Sequence, residues 1–164
     1  MPFWKRKPAV KAEPRTPVST VDDEELGRDL LAAIRQHCAR GDALVEGGQP
    51  EDAIAAYNAA WELVPAPQLR WKASTWILGA IADVAFKADY LQSAKEALDY
   101  VMHCPDAIGN PFLHLRRGEV CFEYGELDAA ADELMRAYMG AGAEIFADEH
   151  PKYLAFLATR ADLG

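Results

Sequence analysis

Apolar residues recur at three- and four-residue intervals through most of the chain, and short breaks rich in glycine, proline or aspartate divide them into runs. That period predicts amphipathic helices joined by tight turns. Ser19-Thr20 followed by Asp22, Asp23, Glu24 and Glu25 reads as a helix start, because a hydroxyl caps exposed amides and acids suit the positive end of a helix dipole. Leu26, Leu30, Ile34, Cys38 and Leu44 then keep helical spacing, predicting a first helix from near residue 21 to about Glu46. Gly47-Gly48-Gln49-Pro50 breaks the run, and a second helix is expected from about Pro50 to Val64, closed by Pro65.

The pattern continues in pairs. Pro67 is expected in the first turn of a third helix whose apolar face holds Trp71, Thr75, Leu78, Ala82, Ala85 and Phe86, up to Lys87. Asp89-Tyr90 makes a turn, and Leu91, Ala94, Leu98, Val101 and Met102 form the next helix, ended at Cys104-Pro105. Asn110 caps a helix with Pro111 at its first position. Gly118, Cys121, Gly125, Ala130, Leu134 and Ala137 then repeat Gly41, Leu44, Gly48, Ala53, Tyr57 and Ala60 at a constant offset of 77 residues. That offset is two repeats plus an insertion, assigned to a lengthened second pair, where Ala82 and Ala94 are the small facing residues. Glu144-Ile145-Phe146 and the run from Pro151 to Leu157 read as a capping helix.

Each repeated position has a physical role. Gly41 and Ala53 let two antiparallel helices approach closely, Tyr57 fills the space beside them, and Gly48 supplies the turn. On these residues the stretch Gly41–Pro65 resembles one tetratricopeptide repeat, a helix–turn–helix unit of about 34 residues. It lacks the aromatic usual early in the first helix. The resemblance implies an all-α, right-handed superhelical solenoid of three repeats, about 34–66, 67–108 and 109–142, with an extended N-terminal helix and a C-terminal cap over 143–164. Residues 1–18, punctuated by Pro2, Pro8, Pro14 and Pro17, read as a disordered basic tail before a single domain over 19–164.

Composition narrows the function classes. With 164 residues and 51% hydrophobic composition the chain can bury a sizeable core. Cys38, Cys104 and Cys121 are odd in number and far apart, which points to reduced thiols and a cytoplasmic location. No stretch approaches a membrane span, so stable membrane insertion is not expected. Residues 1–18 carry +4 and the remainder −13 of the formal −9. An acidic body disfavours nucleic acid and fits either a partner with a basic surface or plain solubility.

Nothing in the chain forms a recognisable enzyme site. His37, His103, His114 and His150 share no metal-ligand spacing on one helix, no phosphate-cradling glycine loop is present, and no cofactor or metal is expected. The informative positions are those the repeat alignment puts on the first helix of each pair. They are Arg35, Asp42, Val45 and Glu46, then Trp76, Asp83 and Phe86, then Phe112, Glu119, Phe122 and Glu123. An acidic row (Asp42, Asp83, Glu119) beside an apolar one (Val45, Phe86, Phe122) suits a segment carrying Lys/Arg and hydrophobic anchors. The competing account has the rings packed on neighbouring helices and the acids solvated. The Lys and Asn with which chaperone-binding family members grip a C-terminal carboxylate are missing.

The segments 71–86 and 109–157, most specifically AYMGAGAEIFADEHPKYL, resemble small bacterial tetratricopeptide proteins of toxin-immunity loci. That resemblance implies a non-enzymatic protein that binds and occludes a cognate secreted toxin, one with a basic surface. The alternatives are a secretion chaperone of the type III translocator class and a tetratricopeptide adaptor.

Overall fold

The computed structural model describes residues 26–164. Their regular elements are helical: α1 (Arg28–Glu46), α2 (Pro50–Leu63), α3 (Lys72–Lys87), α4 (Leu91–Val101), α5 (Pro111–Glu123), α6 (Leu127–Ala141) and α7 (Lys152–Ala158), with 3-10 turns at Gln68–Arg70 and Ala143–Phe146. The chain divides into two compact units, one up to Pro105 and one from Asp106 to Gly164. In the first, α1 packs on α2, α2 on α3 and α3 on α4; in the second, α5 packs on α6 and α6 on α7. No helix among the described residues is long and apolar enough to cross a membrane.

The same turn closes three hairpins. Gly48, Asp89 and Gly125 each take a left-handed backbone, with φ of 70°, 63° and 74°. The following amide reaches back to the helix it has left: Gln49 N–H to Leu44 C=O at 2.9 Å, Tyr90 to Ala85 at 2.8 Å, Glu126 to Cys121 at 2.9 Å. Those bonds satisfy carbonyls that a helix end otherwise leaves open. The next helix then starts identically, with Ala53, Ala94 and Ala130 donating to Gln49, Tyr90 and Glu126. The small residues at these starts are fully buried, so the two helices of each pair approach without a side chain between them.

Large side chains fill what the small ones leave. In the first unit Ile34, Ile54, Tyr57, Trp61, Ile77, Leu98 and Val101 are buried, and in the second Leu113, Leu115, Val120, Leu134, Tyr153 and Leu157. A Cβ at Gly41 would lie 2.5 Å from Tyr57 Cε1, and one at Gly118 would lie 2.7 Å from Leu134 Cγ. Both glycines therefore mark helix–helix contacts at the positions the 77-residue offset pairs.

Two helix starts differ from the sequence expectation. α1 begins at Arg28, not near residue 21, because Gly27 immediately before it takes φ 80° and ψ 148°. The expected cap at Ser19-Thr20 and the tail over 1–18 lie outside the described residues. The expected lengthening of the third helix is also corrected: residues 64–71 form a folded connection and α3 starts at Lys72. Trp71 is extended (φ −94°, ψ 139°), which lets its buried ring pack while Nε1 donates to Pro65 C=O at 2.9 Å. Gln68 Nε2 donates to Trp61 C=O at 2.9 Å, so side chains satisfy carbonyls that a continued helix would have used. At α5 the expectation holds: Asn110 Oδ1 accepts from the amides of Phe112 and Leu113 at 3.0 and 3.3 Å, with Pro111 at the first helical position.

Candidate functional site

In the first unit the singled-out residues lie on α1 and α3. Arg35, Asp42 and Glu46 are exposed, and the large apolar side chains Val45 and Trp76 keep 38% and 36% exposure. Phe86 is half-buried. Asp42 is held in place: Tyr57 Oη donates to its Oδ1 at 2.6 Å. Asp83 pairs with Lys87 one turn on, at 2.9 Å. Burial, the bond to Asp42 and the charges of Asp42, Cys38 and Asp83 all push the Tyr57 hydroxyl upward. Burial, then Asp42, pushes the Cys38 thiol up to about 12. At neutral pH it stays protonated and is a poor nucleophile.

In the second unit the expected binding residues are mostly engaged by the end of the chain. Glu119 is fully buried, so it cannot continue a surface row with Asp42 and Asp83. Its Oε2 is bonded to Arg116 Nη1, and Arg116 forks onto Glu149 with Nη1–Oε2 at 3.0 Å and Nη2–Oε1 at 2.9 Å. Phe122 stacks edge-on against Tyr153 and Phe156 of α7, with centroids at 5.5 and 5.0 Å. Glu123 accepts from Tyr153 Oη at 2.7 Å and pairs with Lys152 at 2.5 Å. Burial raises its carboxyl, and those two partners more than offset that, so it sits below the usual range. Phe112 alone of this set keeps an exposed ring, with the Arg116 guanidinium 5.6 Å from its centroid.

The sequence held signals for this network that spacing to the other repeats obscured. Arg116 and Glu119 stand three apart and therefore share a helix face. The acids and aromatics of 144–156 supply their partners. His114 is likewise structural: Nε2 accepts from Gly109 N–H at 3.0 Å, and Nδ1 meets Glu133 Oε2 at 2.5 Å, which assigns the Nδ1–H tautomer. Arg117 reaches the same carboxylate at 3.4 Å. Among the described residues no group of His, Cys, Asp and Glu is arranged to hold a metal ion, and none of the three cysteines is in a disulfide.

No family model, curated protein or solved structure matches the chain.

Proposed function

We propose that this chain is a non-enzymatic protein-binding module of the tetratricopeptide type, and that it takes its partner on the face formed by α1 and α3. The observation that carries the reading is the shared turn: three hairpins closed by the same backbone bonds at residues 48–49, 89–90 and 125–126, with glycine-mediated helix contacts in the first and third. Right-handed stacking of such hairpins into a superhelix is part of the reading. The binding set reduces to Arg35, Asp42, Val45, Glu46, Trp76, Asp83 and Phe86. Val45 and Trp76 supply apolar anchors, and Asp42 is presented at fixed orientation by Tyr57. A partly apolar patch with oriented carboxylates suits a partner segment that pairs Lys or Arg with a hydrophobic side chain.

Within this reading, the resemblance of the 109–157 segment favours an immunity protein that covers a basic toxin, ahead of a secretion chaperone or an adaptor. The test is titration calorimetry against the product of the adjacent gene, using the wild type, Asp42→Lys/Asp83→Lys and Trp76→Ala. Binding weakened at least tenfold by each variant, with helical circular dichroism retained, is expected. Binding unchanged by both variants removes the α1/α3 face. A neighbouring gene encoding a translocator that binds in place of a toxin selects the chaperone.

A further inference from the structure

The second unit contains a buried acid that the binding surface does not use. Glu119 on α5 is 0% exposed, Arg116 beside it is 1% exposed, and Glu149 reaches them from the segment between α6 and α7. One guanidinium thus faces two carboxyls. Glu149 takes the two-pronged interaction, while Glu119 Oε2 takes a single bond from Nη1. No N–H or O–H donor of the protein reaches Glu119 Oε1, and Glu119 Oε2 and Glu149 Oε2 both take their bond from the same Arg116 Nη1. Two carboxylates held on one nitrogen are close like charges, and a proton on one of them removes the repulsion.

We propose that Glu119 carries a proton at neutral pH and donates it to Glu149, making the 143–151 segment a proton-dependent strap across α5. With the proton in place the three groups sum to zero charge: one guanidinium, one carboxylate, one neutral acid. Without it a net negative charge sits where Arg116 and Glu119 are buried and only Glu149 reaches water, and the two acids repel across the contact that holds the strap. Burial is the main force raising Glu119, to about 8, against the pull of Arg116; Glu149 raises it further. The other ionisable groups nearby are accounted for. The Tyr153 hydroxyl on α7 is tied to Glu123, which also holds Lys152, and Glu133 on α6 is engaged by His114 and Arg117. The strap also seats Phe146, buried and 6.5 Å from the Tyr138 ring, so loosening it opens an apolar end of the unit.

The experiment uses the full chain and two readouts. Carbon-detected NMR of side-chain-labelled glutamate follows the Glu119 carboxyl from pH 6 to 9.5, assigned by its loss in Glu119→Gln. Hydrogen exchange by mass spectrometry, corrected for the intrinsic pH dependence, follows the strap amides of Ala147 and Glu149, which donate to Glu144 and Phe146. The expected results are a protonated carboxyl at pH 7 that titrates near 8, and wild-type strap protection falling at least tenfold between pH 7 and 9.5. Glu119→Gln, which keeps a donor toward Glu149, should hold its protection across that range. An ionised Glu119 resonance at pH 7 in the wild type overturns the proposal, however the variant behaves. Wild-type strap protection that does not change with pH overturns it equally.

Discussion

The Tyr57 ring lies against the backbone of Gly41 so closely that a methyl group there would come within 2.8 Å of three ring carbons. Gly118 stands in the same relation to Leu134, but there a Cβ would also approach the Leu134 backbone nitrogen at 2.9 Å. Ring carbons at the end of a side chain can move aside more readily than a helix backbone. Ala gains up to about 1 kcal/mol of helix propensity over Gly, whereas overpacking a core contact costs about 1–3 kcal/mol. Both Gly41→Ala and Gly118→Ala should therefore destabilise, Gly118→Ala more. Urea denaturation of the two variants checks the order; equal or increased stability would show that the helices separate without strain.

The turn at Asp89 is the one of the three closed by a residue with a Cβ. A left-handed backbone disfavours such a residue, although aspartate tolerates it better than most. Asp89→Gly should raise stability by about 0.5–1 kcal/mol, and Gly48→Ala should lower it by about 1 kcal/mol. Thermal melts of both variants beside the wild type give the signs. A destabilised Asp89→Gly would mean that the aspartate side chain itself holds the turn.

Phe122 and Trp76 should separate folding from binding. Phe122 is covered by Tyr153 and Phe156, so Phe122→Ala should cost about 2–3 kcal/mol of stability as those rings lose their contact. Trp76 is 36% exposed, so Trp76→Ala should cost less stability and act on partner affinity. Chemical denaturation ranks the two variants, and the reverse order would place Phe122 on the surface and Trp76 in the core.

Stability should fall as pH rises from about 4.5 to about 8 because of Glu119. Its folded value lies above that of an unfolded carboxyl, so its contribution is fully present below about 4.5 and is lost as pH rises through about 8. Glu123 runs the other way: held below the usual range, it stabilises above its unfolded value and that contribution is lost in acid. Melting temperatures from pH 5 to 9.5 should thus decline for the wild type from about pH 5, level off past about 8, and decline less for Glu119→Gln. The expected difference at pH 9 is on the order of 1–3 kcal/mol, the usual cost of a poorly compensated buried polar group. Parallel pH profiles would show that Glu119 is already ionised in the fold.

The helices were legible in the sequence because their signals are local. Period 3.6, the Asn110-Pro111 start and the breaks at 47–50, 89–90 and 124–126 each act within a few residues, and the 77-residue offset tied Gly41 to Gly118 before any packing was known. The first helix start was misplaced because Gly27 turns the backbone just before Arg28, an event that the apolar period from Leu26 onward conceals. Pro67 suits a helical first turn equally well, so the sequence predicts helix across the connection before α3. Only the seat for the Trp71 ring selects the extended backbone there.

Charge and exposure were decided by tertiary contacts. Asp42, Asp83 and Glu119 are the same kind of residue at matching repeat positions, so their sequence neighbours gave little reason to separate them. Tyr57, fifteen residues from Asp42, orients the first, and Lys87 one turn away pairs with the second. Glu149, thirty residues beyond Glu119, brings a second carboxylate to the guanidinium that Glu119 also uses. Repeat spacing fixes which face of a helix a residue occupies. What that face meets depends on chain brought in from a distance, and in the second unit the strap closes on Glu119 while α7 engages Phe122 and Glu123.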